Sequence, residues 1–295
     1  MLAKKSLDQL QGDAESSHGL KKSLGALELT LLGIGCIIGT GIFVLTGVAA
    51  AKHAGPGIML SFVLAGMACA FAGLCYAEFA AMIPVAGSAY TYAYATLGEF
   101  VAWTIGWDLI LEYTVGASAV AIGWSGYLVK ICHGIGIDLS VALTSPPGSV
   151  PGAIINLPAI IIVLIMTGVL VIGVKESAWF NNIMVTVKLA VVLLFIVMGV
   201  GHVNTANWTP LMPFGWTGVL TGASFVFFAY ISFDAVSTRA EEAKNPQRDL
   251  PIGTMVSLAI CTVLYIVVAA IMTGVVPYAK LDVPAPMAEV FSYIG

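Results

Sequence analysis

The chain alternates long apolar runs with short polar stretches, and most of the apolar runs are long enough to cross a membrane as helices. A helix needs about 20 predominantly apolar residues to span the hydrocarbon core of a bilayer. By this measure the sequence predicts seven spans. Their approximate bounds are 27–51, 57–83, 99–131, 157–173, 178–201, 217 to the charged run at 239–244, and 251–276. Asp249 is the predicted N-cap of the seventh span, with Pro251 in its first turn.

Composition indicates the same class of protein. Hydrophobic residues make up 59% of the chain and charged residues only 9%, whereas charged residues are about 25% of a typical soluble domain. We therefore predict an all-α polytopic membrane protein. A polar segment precedes the first span, and that span is too long for the apolar region of a signal peptide, so we expect no cleaved signal peptide.

The lysines and arginines between the predicted spans are distributed unevenly. If the N-terminus is cytoplasmic, the cytoplasmic side carries Lys4, Lys5, Lys21, Lys22, Lys175, Arg239, Lys244 and Arg248. The outer side then carries only Lys52, Lys130 and Lys280. We expect a multi-pass protein of the plasma membrane. Because cytoplasmic loops are enriched in lysine and arginine, the distribution predicts that its N-terminus is cytoplasmic. Residues 1–26 are then a cytoplasmic N-terminal segment.

The first predicted span contains four glycines within nine residues, Gly33, Gly35, Gly39 and Gly41. Each glycine costs a helix about 1 kcal/mol relative to alanine. This weakness favours a helix that breaks near 39–41, where two half-helices would present opposite dipole ends to a bound molecule. Free backbone groups at that depth are tolerated only where they line a cavity. The alternative is that Gly35 and Gly39 form a small-residue face for close helix packing.

Ionisable residues inside the predicted spans are candidates for function, because each costs about 3 kcal/mol or more in the membrane. Asp108 and Glu112 lie four residues apart and therefore share a helix face. We interpret Asp108 as hydrogen-bonded to neighbouring helices and the deeper Glu112 as a candidate for proton transfer. Glu78 lies near the end of its span, and both a functional role and simple contact with the interface stay open.

Lys188 and Asp234 are the other intramembrane charges of interest. Lys188 lies in the middle of the fifth span, where burial disfavours its charged form and allows proton exchange near neutral pH. The alternative for Lys188 is a permanent ion pair with a carboxylate. Asp234 follows an aromatic run, 227–233, in the sixth span. It is a candidate for proton coupling and for the cap of a helix that restarts after a break.

Other functional chemistries have little support in the sequence. The four histidines lie outside the span interiors, and the five cysteines form no C-x-x-C pair. No nucleophile–base pair or cluster of metal ligands stands out from the spans. We therefore expect no enzymatic activity, no metal site, no cofactor and no nucleic-acid partner.

Several motifs resemble those of the amino acid–polyamine–organocation (APC) superfamily of transporters. They are Gly33-Ile34-Gly35-x-x-Ile38-Gly39-x-Gly41-Ile42-Phe43, Gly55-Pro56, Tyr76-Ala77-Glu78 and Pro84-x-x-Gly87-Ser88-Ala89-Tyr90. The run 227–234, followed by Glu241-Glu242-Ala243-Lys244-Asn245-Pro246-Gln247, is similar to a bacterial form of the cationic amino acid transporter branch. The resemblance covers nearly the whole chain from Leu20 onward.

The resemblance implies a transporter fold of two inverted five-helix repeats in which helices one and six are broken. In the family, backbone N–H groups at the first break hold the substrate carboxylate. The corresponding substrate-binding positions here are Ile38, Thr40, Gly41 and Ile42. Carbonyl groups of helix six hold the substrate amino group, and they correspond to Phe228, Ala229 and Ile231. The ring of Phe228 would also close over the substrate as a gate.

The same resemblance bears on proton coupling and on the extent of the chain. Lys188 aligns with a lysine of proton-coupled members. Together with Glu112 and Asp234, the charged candidates named above, it completes the predicted set of coupling residues. Two features depart from the family: Ser232 replaces a usual glycine, and there are fewer spans. We therefore expect a chain truncated after about seven helices. Its predicted parts are a first repeat at 27–201, the start of a second at 202–276, and an outer loop with the start of a further helix at 277–295.

The expected function is secondary active transport, as proton-coupled symport of small L-amino acids. Neutral substrates are favoured over cationic ones, because no carboxylate is clearly placed to meet a substrate side chain. The expected partners are the amino acid, protons and the lipid bilayer. The alternatives are an exchanger of amino acids or polyamines, and a non-transporting nutrient sensor or channel of the same fold. A channel needs a path lined by polar rings, and these spans show isolated charges instead.

Cysteine accessibility tests the predicted orientation. A membrane-impermeant thiol reagent should label Lys244→Cys only from the cytoplasmic side and Asn207→Cys only from the outer side, because these positions flank the sixth span at opposite ends. The parent protein with its five native cysteines sets the background. The opposite labelling pattern would reverse the orientation.

Overall fold

The computed structural model describes residues 22–172 and 174–294, with side chains described for all of these except 174–181. Most of the predicted N-terminal segment 1–26 therefore lies outside the described residues. The described residues form helices joined by turns and loops, with isolated β-bridges that pair Leu24 with Ala243 and Thr144 with Asn156.

The described chain contains eleven α-helices, and the longer ones follow the predicted spans. They are α1 Ala26–Ile37, α2 Thr46–Ala49, α3 Ile58–Met82, α4 Ser88–Thr96, α5 Glu99–Gly134, α6 Val141–Thr144, α7 Leu157–Ile172, α8 Val174–Val200, α9 Gly215–Val226, α10 Pro246–Val275 and α11 Pro286–Ile294. The π-helical turns Gly41–Leu45 and Ala50–Ala54 flank α2. The 3₁₀ segments are Gly55–Gly57, Thr205–Trp208, Phe227–Tyr230, Phe233–Glu242 and Tyr278–Lys280.

The apolar helices support a membrane-spanning chain. Among the described residues, five helical stretches are long and apolar enough to cross a membrane. They are Gly41–Met82, Glu99–Gly134, Asn182–Val200, Gly215–Glu242 and Pro246–Val275. Two shorter apolar helices, α1 and α7, occupy the start of the first predicted span and the fourth. The prediction of an all-α polytopic membrane protein is confirmed.

The last long helix begins earlier than the sequence analysis predicted. α10 starts at Pro246 rather than near Pro251, so the prediction that Asp249 is its N-cap is wrong. The N–H of Asn245 donates to Asp249 Oδ2 at 3.1 Å, and this bond places Asp249 in the first turn. Proline suits the first position of a helix, because the N–H that it lacks has no partner there. Pro246 fills that position, and Pro251 lies inside the helix.

The described chain forms two compact units, and each is assembled from three separate stretches. Unit one comprises 22–38, 62–114 and 227–264. Its buried core joins α1, α3, α4, α10 and the 3₁₀ segment Phe233–Glu242. The core residues are Leu29, Ala80, Ile83, Val85, Tyr92, Val236, Ala240, Ala243 and Leu250. The start of span one therefore packs with the end of span six.

Two further sets of contacts fix α1 within unit one. Before the helix, the N–H groups of Ser23 and Leu24 donate to Glu242 O at 2.9 and 3.0 Å, and Lys244 N–H donates to Leu24 O at 2.8 Å. Along the helix, Gly33 faces α10, where a Cβ at position 33 would lie 2.5 Å from Ser257 Oγ. α1 is thus attached to the segment 242–244 by backbone bonds and to α10 by close packing.

Unit two comprises 39–61, 115–226 and 265–294. Buried polar contacts connect its helices. Ser61 Oγ donates to Val219 O at 2.7 Å, and Ser125 Oγ donates to Asn156 Oδ1 at 2.7 Å. The same Asn156 oxygen accepts the Ala159 N–H at 3.1 Å and so caps the start of α7. The predicted boundary between the two repeats, at 201–202, stays a prediction.

Candidate functional site

The first span is interrupted at Ile38 and Gly39. α1 ends at Ile37, and Ile38 has an extended backbone (φ −70°, ψ 103°), while its N–H still donates to Ile34 O at 2.9 Å. The π-helical turn Gly41–Leu45 follows. Such turns are wider than an α-helix and occur frequently at functional sites. The predicted break in helix one is confirmed.

The glycines of this span serve different purposes. A Cβ on Gly33 would lie 2.5 Å from Ser257 Oγ and 2.9 Å from a methyl group of Val236, so Gly33 is a close-packing glycine within unit one. A Cβ on Gly39 would meet no described atom of its own unit within 4 Å. The alternative of close packing through Gly35 and Gly39 is therefore not supported at Gly39, whereas Gly33, which was not part of that alternative, does pack closely.

The predicted substrate-binding residues at the first break are mostly buried. Ile38 and Ile42 have no exposed surface, Gly41 is buried, and Thr40 is half-buried. The N–H of Ile42 donates to Gly39 O at 3.2 Å. In this structure the chain itself therefore occupies one of the amides that the resemblance assigns to a substrate carboxylate.

The sixth span is interrupted as well, and this predicted break is also confirmed. α9 ends at Val226, the 3₁₀ segment Phe227–Tyr230 follows, and Ser232 adopts a left-handed backbone with φ 76° and ψ 11°. The chain then continues as the 3₁₀ segment Phe233–Glu242. Left-handed φ favours glycine, because other side chains clash with the backbone there. The geometry explains why a glycine would suit position 232.

The carbonyl groups predicted to accept hydrogen bonds from a substrate ammonium lie within this interruption. Ala229 is buried, and Phe228 and Ile231 are half-buried. Phe228 O accepts the N–H of Ile231 at 3.2 Å. A carbonyl oxygen has two lone pairs and therefore keeps the capacity to accept a second hydrogen bond.

A cavity of about 270 Å³ lies at the second break, entirely within unit one. Its lining residues come from α3, α5 and the interruption of span six. They are Cys69, Tyr76, Glu112, Phe227, Tyr230, Ile231, Ser232, Phe233 and Asp234. The structure thus brings together two of the three predicted coupling residues, Glu112 and Asp234, with the predicted substrate contact Ile231. Lys188, the third, is half-buried on α8 of unit two.

Asp234 is held by a side chain that the sequence analysis did not assign. Asp234 is only 6% exposed, and its Oδ2 accepts a hydrogen bond of 2.6 Å from Ser88 Oγ. Ser88 is itself buried and has a positive φ of 49°. The interpretation of Asp234 as a helix cap is wrong, because Ser232 occupies the N-cap position and the Asp234 carboxylate bonds to Ser88 instead.

A second carboxylate accepts a hydrogen bond from the loop that contains Ser88. Glu241 Oε1 accepts the N–H of Ala86 at 3.2 Å, so the segment 84–88 is bonded to Phe233–Glu242 at two points. The resemblance included Pro84-x-x-Gly87-Ser88, but that pattern gave Ser88 no role. In the structure, both Gly87 and Ser88 have a positive φ. Strained backbone persists only where neighbouring contacts fix it, so these two angles mark Ser88 as a residue held in place by its surroundings.

The remaining intramembrane carboxylates are placed differently. Glu78 and Asp108 are exposed on their helices, whereas Glu112 is half-buried beside the cavity. The exposure of Glu78 agrees with the interfacial alternative. The exposure of Asp108 does not support its interpretation as a residue bonded between helices. Of these three carboxylates, Glu112 is therefore the one that lines the cavity.

Interrupted spans in a multi-pass chain are a feature that many secondary transporters share. The family model for amino acid permeases matches residues 24–293, which is most of the chain. The chain therefore belongs to the amino acid permease family, within the APC superfamily. The predicted family membership is confirmed.

Three relatives illustrate the range of the family. The chain is 55% identical over 295 residues to the branched-chain amino acid permease BcaP of Bacillus subtilis, covering 99% of this chain and 63% of the relative. It is 52% identical over 295 residues to the methylthioribose transporter of the same organism (100% and 64%). It is 40% identical over 306 residues to the mitochondrial cationic amino acid transporter 3 of Arabidopsis thaliana (100% and 50%). The chain thus spans 64% or less of the length of these relatives.

Substitutions at Ser232 test whether the left-handed turn limits stability. Ser232→Val should lower the free energy of unfolding by about 1–2 kcal/mol, because a β-branched side chain is strongly disfavoured at positive φ. Ser232→Gly should cause no loss. Thermal unfolding of the purified protein in detergent measures both. Ser224→Val, on the regular helix α9, is the matched control and should have little effect. Equal losses at 224 and 232 would contradict the strained turn.

Proposed function

We propose that the protein is a proton-coupled symporter of small L-amino acids in a bacterial plasma membrane, with its N-terminus in the cytoplasm. The observation that carries the proposal is the interruption of spans one and six in a chain of the amino acid permease family. Interrupted spans leave backbone N–H and C=O groups at membrane depth, where only a bound polar molecule or the chain itself satisfies them.

A zwitterionic amino acid matches the two kinds of backbone group that the breaks provide. Amides at Thr40, Gly41 and Ile42 are the proposed donors to the substrate carboxylate, and Ile38 is the proposed neighbour of that site. Carbonyl groups of Phe228, Ala229 and Ile231 are the proposed acceptors from the substrate ammonium. Half-helix dipoles reinforce both interactions, so no charged side chain is required to bind either end of the substrate.

Proton coupling is assigned to Glu112, Asp234 and Lys188. Glu112 and Asp234 line one cavity of unit one, and we assign proton transfer to these two carboxyl groups. Lys188 is half-buried on the apolar helix α8, and we assign it to coupling because a charge at this place in a span is costly and lysine can gain and lose a proton. Charges in spans are costly, and a role in proton movement accounts for their presence.

The names of the relatives define the substrates to be tested. One is a permease for branched-chain amino acids, one transports methylthioribose, and others transport cationic amino acids. We propose a small neutral L-amino acid, because the two carboxylates near the second break are assigned to protons and the rest of the cavity lining is largely apolar or aromatic.

Uptake into proteoliposomes tests the proposal. The full-length protein should accumulate a branched-chain or other small neutral amino acid when the outside is acidic, and a protonophore should abolish the accumulation. Arginine and methylthioribose are the comparison substrates. Counterflow without any response to the proton gradient would indicate an exchanger, and would contradict the symport proposal.

Gly41→Leu tests the amides of the first break. The new side chain restores helix propensity and enters the space where the carboxylate has to approach. Charge-assisted hydrogen bonds contribute about 1.5–3 kcal/mol each, so losing their geometry should weaken amino acid binding by roughly tenfold or more. Isothermal titration of the purified full-length protein measures the effect.

The control for this experiment is Cys36→Ala, an exposed position on α1, which should bind normally. Thermal unfolding shows whether each variant is folded. Amines that lack a carboxylate should fail to compete with the amino acid. Normal binding by a folded Gly41→Leu protein, or effective competition by amines, would place the carboxylate site elsewhere.

Lys188→Ala tests the proposed coupling lysine. Uptake should lose its dependence on the proton gradient, because the group that exchanges the proton has been removed, while amino acid counterflow should persist. Lys188→Arg is the matched variant, since arginine keeps the charge but does not release a proton under these conditions. If the Lys188→Ala protein still accumulates substrate under a proton gradient, the lysine has a structural role only.

A further inference from the structure

The π-helical turn Gly41–Leu45 is held by one side chain from within the first span and by another from α5. Thr46 donates to Gly41 O through its backbone N–H and through Oγ1 at 3.0 Å. Tyr127, 84 residues further along the chain, donates its hydroxyl proton to Phe43 O at 2.6 Å. The rings of Phe43 and Tyr127 also make an edge-on contact at 6.2 Å.

One face of α5 packs directly against the turn Gly41–Leu45. Gly123 and Tyr127 are four residues apart and therefore lie side by side on the helix surface. A Cβ on Gly123 would lie 3.0 Å from Thr40 Cγ2 and 3.2 Å from Val44 Cγ2. The absence of a side chain at 123 lets α5 approach the turn closely, and Tyr127 then reaches a carbonyl within it.

The hydroxyl of Tyr127 is fixed from a second direction. It accepts the N–H of Met287, at the start of α11, at 3.3 Å. A tyrosine hydroxyl donates one hydrogen bond and accepts others, so both contacts are satisfied together. The neighbouring face of α5 holds the same region: Gly126 lies against Pro284, and Lys130 Nζ is 2.8 Å from Glu289 Oε2.

We propose that Tyr127 is a positioning residue for substrate binding: its bond to Phe43 O orients the turn that carries the amides of Gly41 and Ile42. This inference rests on the proposed function, in which those amides hold the substrate carboxylate. The hydroxyl of Tyr127 bonds to Phe43 O and Met287 N–H, and its ring contacts that of Phe43. In this proposal Tyr127 acts on the substrate through the backbone of residues 41–45.

Tyr127→Phe is the test, because it removes the hydroxyl and keeps the ring contact with Phe43. The KM for amino acid uptake by the full-length protein should rise about three- to tenfold, as expected for the loss of the bond to Phe43 O, with kcat nearly unchanged. The substitution also removes the bond from Met287 N–H, so the contribution of α11 has to be controlled for. Selectivity gives a second readout. The preference for an amino acid over its methyl ester should fall by a similar factor, because the affected amides contact only the carboxylate.

Two variants separate positioning from general stability. Ser125→Ala is the matched control, since it removes a buried hydrogen bond of the same helix to Asn156 and leaves the turn untouched. It should lower the unfolding temperature without changing KM or selectivity. Glu289→Gln weakens the pair with Lys130 and should change KM less than Tyr127→Phe does.

The outcomes distinguish this inference from the proposed function. If the parent protein shows no preference for acids over esters, the proposed carboxylate site fails. If the parent shows that preference and Tyr127→Phe keeps it unchanged, the inference about Tyr127 is overturned. An equal rise of KM in Glu289→Gln and Tyr127→Phe would also overturn it, because the docking of α11 would then control affinity.

Discussion

A peptide group that leaves a helix inside a membrane needs a new hydrogen-bond partner, because hydrocarbon provides none. The two interruptions meet this constraint with short-range bonds, from Ile42 N–H to Gly39 O and from Ile231 N–H to Phe228 O. These bonds span three residues, and they are the kind that a polar ligand can replace. The interruptions persist because the structure on each side is firmly packed. α1 and the segment 233–242 share one buried core, and the turn after the first break is held by α5.

The glycine pattern predicted the first break because its cause is local: four glycines weaken the first span. The break in the sixth span was expected from the family resemblance, and in the structure it lies at Ser232 with its left-handed backbone. The glycine pattern did not reveal which glycine serves close packing, because that depends on Ser257 and Val236, which lie more than two hundred residues along the chain from Gly33. The predicted start of α10 was also wrong. Asn245-Pro246 and Asp249 with Pro251 are both acceptable sequences for a helix N-terminus, and the helix begins at the first of them. The backbone pairing of Lys244 with Leu24 lies immediately before that position.

The residues around the candidate site that sequence reasoning missed are those whose roles depend on distant partners. Ser88 bonds to Asp234 across 146 positions, and Tyr127 bonds to Phe43 across 84. Serine and tyrosine carry no charge, so they do not stand out in an apolar span as Glu112 does. A charged residue inside a span is recognised from sequence as a functional candidate, because burying a charge in the membrane costs free energy. A neutral hydrogen-bonding residue gives no such indication, and its role is recognised only when the fold shows its partners.

The backbone pairing of Ser23 and Leu24 with residues 242–244 gives the chain a mechanical property. Two helical segments that belong to different spans are joined end to end by main-chain bonds, which no single side-chain substitution removes. A tilt of α1 therefore carries the end of Phe233–Glu242 with it, unless the bridge is first pulled apart. Within unit one we therefore expect the start of α1 and the end of Phe233–Glu242 to move together.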